Sequence, residues 1–299
     1  MLTPQIKADK LAKKIGLKVD LYLKREDLHP LGSHKGRSLP LMINNYAAEG
    51  IKNFVISSSG NAALAAALHI KELNRLKHFS DYALTILVGK KIEKNKMAEL
   101  EKLAEKNIKI IKTTNPKQQA LQMEKSGRGK NLRQSTDDEA LVGYYELARE
   151  LCEIKKLSAV FIPTSSGTTA EGLYEGFKKI GIHPQIHIVQ TTACHPIVDI
   201  LPKDSSSHPR SSLGMTSMAT AIVDKVAHRK NQLAEAIKNS HGQGWIATNE
   251  EIQNAIDILQ VTEGIQASPN SVLSIVGLLQ ALKNEQKFTG PVVCLLTGK

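Results

Sequence analysis

One lysine, Lys35, stands where it could do covalent chemistry. Its segment reads "LYLKREDLHPLGSHKGRS" over 21–38, in which strand-forming residues lead into a turn that contains Pro30 and Gly32. Lys35 follows this turn at a point where a helix is expected to begin. An amine held there can react with the carbonyl group of a ligand, whereas most lysines at helix starts are only solvated.

Three other segments place hydroxyls and backbone amides directly after strands. They are "SSSGN" at 57–61, "TSSGTTAEG" at 164–172 and "LLTG" at 295–298. Small residues let N–H groups approach a ligand, and a helix that starts after the loop adds free N–H donors and partial positive charge. This arrangement suits a phosphate, although a plain capped loop would have a similar sequence. Thr168 and Thr169 are expected to cap a helix that begins near Ala170.

The elements that position these loops alternate between strand and helix patterns. Strands are predicted at 21–25, 53–59, 83–89, 108–113, 159–166, 185–191 and 292–298, and helices at 61–74, 94–106, 170–181, 249–260 and 271–284. The alternation predicts an α/β fold of two doubly wound, three-layer lobes, with a site at the carboxyl ends of the strands. We divide the chain into a large lobe (1–40 and 141–299) and a smaller lobe (41–140). The stretch 201–214 is predicted to be a surface loop.

Composition argues against several classes of protein. The 299 residues carry a net charge of +11, and eight arginines among the 40 basic residues leave 32 lysines. These lysines are scattered and aromatic residues make up only 4%. A nucleic-acid-binding protein usually clusters its basic residues and uses arginine and aromatic side chains, so no nucleic-acid partner is expected.

Membrane, disulfide and metal classes are not expected either. No apolar run approaches the ~20 residues that span a bilayer, and the start of the chain has no signal-peptide pattern, so we expect a cytoplasmic protein with no membrane partner. The three cysteines, Cys152, Cys194 and Cys294, form no CxxC pair. The ten histidines show no ligand spacing, and no metal site is predicted.

Together the segments offer an amine, a phosphate-binding loop and polar loops, which are the parts that pyridoxal 5'-phosphate (PLP) needs. The sequence also resembles the fold type II PLP enzymes, the family of threonine synthase, threonine dehydratase, cysteine synthase and the tryptophan synthase β subunit. The resemblance covers nearly the whole chain, in the family's order. Its motifs are "LYLKREDLHPLGSHKGR", "SSSGNAALAAAL", "FIPTSSGTTAEGLYEGF", "IHIVQTTACHPIV", "SMATAI", "EGIQASPNSVLSIVGL" and "VVCLLTG".

The resemblance implies a tryptophan synthase β-like fold with PLP in the cleft between the lobes, and it assigns roles to individual residues. Lys35 would hold the cofactor's aldehyde and move protons at the substrate's α-carbon. Asn61 would hydrogen-bond the ring hydroxyl, and Thr297 would face the pyridine nitrogen. The substrate carboxylate would bind at Ser58, Ser59 and Gly60, and the cofactor phosphate at Ser165, Ser166, Gly167, Thr168 and Thr169.

Two departures from the family's pattern stand out. The phosphate loop has one glycine where relatives often have several, and Ser268 stands where the family usually has Glu before Pro269. A phosphorylated substrate would also need a cation, and the candidates are Arg133, Lys130 and Arg37, none of which lies in a motif that matches cleanly.

The implied activity is that of a PLP-dependent lyase that catalyses β or γ elimination or replacement on a small amino acid, threonine synthase-like. The first alternative is a threonine/serine ammonia-lyase. The second is a PLP-binding non-catalytic homologue, suggested because the chain stops at Lys299, just after "LLTG". A homodimer is expected by analogy with relatives.

Overall fold

The computed structural model describes residues 2–76, 81–202 and 216–298. The strands are β1 (Gln5–Lys7), β2 (Leu21–Arg25), β3 (Asn53–Ser57), β4 (Ala83–Gly89), β5 (Ile108–Thr113), β6 (Lys130–Asn131), β7 (Ala159–Pro163), β8 (Gln185–Thr191), β9 (Gly244–Ala247) and β10 (Val292–Leu296). The α-helices are α1 (Asp9–Ile15), α2 (Lys35–Ala48), α3 (Asn61–Leu76), α4 (Lys94–Glu101), α5 (Pro116–Lys125), α6 (Glu139–Val142), α7 (Tyr145–Cys152), α8 (Thr168–Ile180), α9 (Lys230–Asn239), α10 (Asn249–Glu263) and α11 (Leu273–Lys283). Short 3₁₀ turns cover Glu26–Leu28 and Val198–Ile200.

The chain divides into two compact units. The larger unit contains Met1–His29 and Tyr144–Lys299, and the smaller contains Pro30–Gly143. Residues 30–40, which the sequence-based division placed in the large lobe, belong to the smaller unit because α2 already begins at Lys35 and buries Leu39 in that unit's core. Lys35 is therefore carried by the smaller unit.

The larger unit is built on a six-stranded sheet in the order β1-β2-β10-β7-β8-β9, parallel except for β1. Every residue of β7 and β10 is buried, as expected for parallel strands covered on both faces. Alternate residues point to opposite faces. Phe161 and Cys294 pack with α1, α10 and α11, whereas Ile162 and Leu295 pack with α7, α8 and α9.

The smaller unit has a four-stranded parallel sheet in the order β5-β4-β3-β6. Phe54 and Ile56 pack against α2 and α3 on one face, and Val55 packs near Met123 of α5 on the other. Each unit is thus a sheet between two helical layers. The prediction of an α/β fold made of two such three-layer units is confirmed.

Several predicted elements end elsewhere. The strand β3 stops at Ser57 and β7 at Pro163, because the hydroxyl-rich residues that follow turn into loops. The helix predicted over 94–106 ends at Glu101. Apart from its first two residues, the surface loop predicted over 201–214 lies outside the described residues.

In the described part of the chain, no helix is long and apolar enough to cross a membrane. The same residues contain no cluster of three or more His, Cys, Asp or Glu side chains suited to a metal ion.

Candidate active site

Lys35 is the first residue of α2, and the preceding turn fixes its backbone. The Lys35 amide donates to Ser33 Oγ at 3.3 Å, and the Gly36 amide donates to Ser33 O at 2.9 Å. Gly32 in this turn has a φ of 82°, which favours glycine. The Lys35 side chain is half-buried, and its ammonium makes no hydrogen bond or ion pair with the described residues of its unit. The fold positions this amine without using it for its own stability.

The first turn of α2 is held tightly within the smaller unit. A Cβ atom on Gly143 would lie 2.4 Å from both Arg37 O and Ser38 Cα, so only glycine permits this approach. Gln134 Nε2 donates to Ser38 Oγ, and both residues are buried. Because Ser38 follows Lys35 by one helical turn, these contacts orient the part of α2 that carries the lysine.

Two parallel helices bring Lys35 and Asn61 to the same edge of the sheet. The helix α2 leads into the start of β3, and α3 follows the end of β3, so both helices run opposite to that strand. His69 Nε2 lies 2.9 Å from Asn44 Oδ1, and each of these residues is more than two turns into its helix. Both helix N-termini therefore lie at the carboxyl edge of the smaller sheet.

Arg133 reaches this same edge. The strand β6 pairs with Phe54 and Val55 of β3, and the Leu132 amide continues the ladder by donating to Val55 O at 2.9 Å. Arg133 follows at once and is half-buried. It therefore lies beside the end of β3, next to the loop at 57–61.

The other two candidate cations for a substrate phosphate are placed differently. Lys130 Nζ lies 3.6 Å from Glu124 Oε1 and 4.4 Å from the centroid of the Tyr46 ring, so it is engaged at the amino end of β6. Arg37 is only 5% exposed. Of the three, Arg133 is the one whose position suits a ligand at the carboxyl edge.

The described hydrogen bonds of the loop at 57–61 are short-range. The Gly60 amide donates to Ser58 Oγ at 3.3 Å, and the Ala63 amide donates to Gly60 O at 2.9 Å as α3 begins. Ser59 is exposed, and Ser58, Gly60 and Asn61 are half-buried. These residues, predicted to bind the substrate carboxylate and the cofactor ring, thus lie at the same edge as Lys35.

In the larger unit, the loop 164–169 follows β7 and is fixed by its neighbours. The Thr164 amide donates to Val189 O at 2.9 Å. Gln190 Nε2 lies 3.4 Å from Thr164 O and 3.5 Å from Ser165 O. Gln190 Oε1 in turn accepts from the amides of Ile197 and Val198, at 3.0 and 3.1 Å. The buried Gln190 therefore joins the loop to the chain after β8.

The loop turns into α8 at Gly167, which has a φ of 96°. This is the one residue of 164–169 with a positive φ, which explains how the loop forms with a single glycine. The helix begins at Thr168 with Gly167 as its N-cap, and no side chain among the described residues caps it. The prediction that Thr168 and Thr169 cap a helix starting near Ala170 is wrong because the helix already includes both. Their amides instead belong to its first turn, where donors lack helical partners.

Thr297 lies beside this loop. The strand β10 pairs with β7 through Cys294 and Phe161, so continuing the register places Thr297 next to Thr164. Ser271 Oγ donates to Gly298 O at 2.5 Å and accepts from the Gly298 amide at 3.0 Å. Ser268, the residue in the family's Glu position, also donates to Gly298 O at 2.7 Å. These two serines fix the peptide that follows Thr297.

Three supporting residues were missed by sequence reasoning: Gln190, Ser271 and Gly143. The first two lie within recognised motifs, but nothing in their type distinguishes a buried hydrogen-bonding role from a surface position. Gly143 follows a short helix, where a glycine usually signals only a helix end. The contact between Gly143 and α2 depends on tertiary packing, which the local pattern does not encode.

Comparison with known proteins agrees with this geometry. Residues 2–298 match the family described as "Pyridoxal-phosphate dependent enzyme". The threonine synthase of Methanosarcina acetivorans is 26% identical over 309 residues, covering 99% of this chain and 74% of the relative. Among solved structures, threonine deaminase isoform 2 from Solanum lycopersicum superposes with a TM-score of 0.79 at 21% identity, covering 99% of this chain and 78% of that one. Serine racemase from Dictyostelium discoideum superposes with a TM-score of 0.79 at 17% identity, covering 99% and 91%.

The chain belongs to the pyridoxal-phosphate-dependent enzyme family, with the fold type II architecture. The reactions named for the similar proteins differ, so the fold does not select one of them.

The residues present fit the family's cofactor. Helix α8 starts with uncapped amides behind Gly167 in the described structure, which suits a phosphate group. Ser166 Oγ lies 3.0 Å from Thr168 Oγ1 and adds a hydroxyl pair at the same place. Lys35 supplies an amine with no partner among the described residues of its unit.

Proposed function

We propose that the protein is a PLP-dependent lyase that catalyses β or γ elimination or replacement on a small amino acid, with a threonine synthase-like reaction as the first candidate. The observation that carries the proposal is the edge of the smaller sheet, where Lys35, the loop 57–61 and Arg133 meet. The similarity to threonine synthases along 99% of the chain supports it.

Each residue has a chemical role in this proposal. PLP, when bound, supplies the electron-withdrawing ring that stabilises negative charge at the substrate's α-carbon. Lys35 holds the cofactor through its aldehyde and moves the proton at the α-carbon. Ser58, Ser59 and the Gly60 turn donate to the substrate carboxylate.

The remaining residues hold the cofactor. Asn61 donates to or accepts from the ring hydroxyl, and Thr297 faces the ring nitrogen with a neutral hydroxyl. The phosphate is bound by the loop from Ser165 to Thr169 and by the start of α8, where amide donors and the helix dipole favour an anion.

A threonine synthase must also bind the phosphate of its substrate near that of the cofactor. Two phosphates close together repel, so a cation is needed between or beside them. Arg133 is suited to this role because guanidinium groups bind phosphate oxygens in a bidentate manner. Its position after β6, beside the end of β3, favours the synthase reading.

A threonine/serine ammonia-lyase is the second candidate. Its substrate carries no phosphate, so it needs no additional cation, and the hydroxyl leaves with the help of a proton donor. The engagement of Lys130 with Glu124 and the burial of Arg37 favour this candidate, since only one of three cations remains suited to a phosphate.

Substrate tests separate the candidates. The purified protein is incubated with O-phosphohomoserine, L-threonine and L-serine, while phosphate, 2-oxo acid, ammonia and the visible spectrum are followed. Release of phosphate with formation of threonine supports the synthase. A 2-oxo acid and ammonia from threonine or serine, with O-phosphohomoserine inert, supports the ammonia-lyase. If no substrate changes the spectrum, both activities fail and a non-catalytic PLP-binding protein remains.

Variants of Arg133 and Lys130 make this test more specific. If the synthase proposal is right, Arg133→Ala raises the KM for O-phosphohomoserine by about 10- to 100-fold, since a hydrogen bond to a charged group contributes about 1.5–3 kcal/mol. Lys130→Ala is the matched control, because the Lys130 ammonium already contacts Glu124 and the Tyr46 ring. The KM of this variant for O-phosphohomoserine is expected to stay near that of the wild type. Equal effects of the two variants would contradict a specific role for Arg133.

A further inference from the structure

Several backbone amides of residues 216–224 in the larger unit donate hydrogen bonds to side chains; we call this segment the strap. The Met218 amide donates to Asn249 Oδ1 at 2.9 Å, and the Ala221 amide donates to Asn270 Oδ1 at 2.9 Å. Asn249 opens α10, and Asn270 lies just before α11. Side chains at or near the starts of two helices therefore hold a segment that has no regular secondary structure of its own.

The far end of the strap is held by Ser165 of the phosphate loop. The amides of Val223 and Asp224 both donate to Ser165 Oγ, at 3.1 and 3.2 Å. The side chain of Val223 is 64% exposed, so this contact does not depend on its packing. Among the described side chains outside the strap that accept hydrogen bonds from its amides, Ser165 is the one that belongs to the loop 164–169.

The two amides also determine what the Ser165 hydroxyl can do. A serine oxygen has two lone pairs and one proton. Because the amides of Val223 and Asp224 occupy both lone pairs, the hydroxyl is left to act as a donor. The Ser165 hydroxyl can therefore donate its proton to a ligand at the loop. The first amides of α8 and the hydroxyls of Ser166 and Thr168 also suit an anion there.

We propose that Ser165 is a positioning residue that couples the binding of a phosphate group at the loop to the hold on the strap. An anion that accepts the Ser165 proton polarises the hydroxyl and makes its oxygen a better acceptor, because hydrogen bonds in a chain strengthen one another. The bonds from Val223 and Asp224 are therefore strongest when the loop is occupied. This inference rests on the proposed role of the loop as the site of the PLP phosphate.

The strap is held at separate points along its length. Ala219 and Ile222 are buried in the core formed with α10 and α11, whereas Thr220 and Ala221 between them are exposed. The two asparagines secure the first part of the strap regardless of any ligand at the loop. Ser165 secures Val223 and Asp224, and these two amides are where a ligand effect is expected.

Hydrogen exchange of the full chain tests the coupling, with inorganic phosphate and PLP as separate probes. In the wild type, each probe is expected to slow exchange at the amides of Val223 and Asp224 and to leave those of Met218 and Ala221 unchanged. In Ser165→Ala, the same two amides exchange roughly 10-fold faster without a probe, and neither probe restores the wild-type rate. Ser165→Thr keeps the hydroxyl and restores both behaviours.

Ser166→Ala is the matched control, because its hydroxyl contacts Thr168 and not the strap. It weakens binding of the probes but leaves exchange at Val223 and Asp224 in the free protein as in the wild type. The proposal is overturned if hydrogen exchange at Val223 and Asp224 is unchanged in Ser165→Ala. It is also overturned if inorganic phosphate does not slow exchange at these two amides in the wild type. If PLP fails to bind the wild type, the proposed function fails, while the phosphate measurements still decide the role of Ser165.

Discussion

The loops 57–61 and 164–169 have similar sequences and similar places in their units, but the fold holds them very differently. Each follows a parallel strand, is rich in serine and leads into a helix. Loop 164–169 is tied to the chain after β8 by Gln190 and to the strap by Ser165. Among the described residues of its unit, loop 57–61 has a side-chain hydrogen bond from the Gly60 amide to Ser58 Oγ, within the loop itself.

This difference bears on what each loop binds. Donors that are already fixed lose little conformational freedom when a ligand arrives, which favours tight and lasting binding. Side chains that are half-buried or exposed, such as Ser58 and Ser59, have more conformational freedom to lose when a contact fixes them. Under the proposed function, the fixed loop serves the cofactor that stays and the open loop serves the substrate that leaves.

The largest expected effect concerns Lys35, which lies at the same sheet edge as loop 57–61. Lys35→Ala is expected to lower turnover by roughly 10³-fold or more, because the group that moves the α-proton is lost. The melting temperature stays near that of the wild type, since the Lys35 amine stabilises nothing in its own unit among the described residues. Borohydride treatment of the wild type with PLP labels one peptide, the one that contains Lys35.

Lys130→Ala is the control for this test, because Lys130 is engaged with Glu124, and it keeps the label on Lys35. Label on another lysine, or no label in the presence of PLP, would contradict the role of Lys35.

The sequence predicts the fold and the two loops better than it predicts the residues that hold the loops in place. The α/β fold, most strand positions and the loops themselves follow from local patterns, since parallel strands and amphipathic helices have distinct periods. The supports do not follow, because they join residues far apart in the chain. Gln190 reaches Thr164, Ser165 reaches Val223, and Gly143 meets Arg37 only after the units have folded.

Element ends were predicted less well for a physical reason. The serines after β3 and β7 are compatible with a strand or a loop, and tertiary hydrogen bonds decide between them. Likewise, Thr168 and Thr169 are common capping residues, but Gly167 adopts the left-handed conformation and starts the helix earlier. The residue types correctly predict a loop after β7, whereas the positive φ of Gly167 determines where α8 begins.

A pair of glycine variants tests the comparison directly. Gly167→Ala places a methyl group at a φ of 96° and 3.1 Å from Leu233 Cδ2, so we expect a loss of about 1–3 kcal/mol in the free energy of unfolding. Gly60 has no positive φ, and apart from its chain neighbours no atom of the described residues lies within 4 Å of a Cβ built there. Gly60→Ala is therefore expected to change stability by less than about 0.5 kcal/mol. Urea unfolding of both variants measures this. A similar loss for both would show that the two loops are equally constrained.

A smaller effect than that of Gly167→Ala is expected at the contact that aligns the two helices of the smaller unit. Burial lowers the pKa of His69 to about 4, whereas the unfolded chain has a value near the ordinary 6.5. Between these two values the unfolded state binds more protons, so the stability from neutral His69 is complete above about pH 6.5 and is lost as the pH falls toward about 4. Because His69 is only partly buried, solvent screening reduces the effect to about 1 kcal/mol between about pH 7 and pH 5.

His69→Gln removes this titration while keeping a side chain that can bond to Asn44. Burial also lowers the pKa of His187 in the larger unit, to about 3, but that contribution is common to both proteins and cancels in the comparison. Urea unfolding at the two pH values should therefore show a smaller loss of stability for the variant than for the wild type. Equal losses would mean that His69 is as easily protonated in the fold as in the unfolded chain. The alignment of Lys35 with Asn61 would then not depend on a neutral histidine.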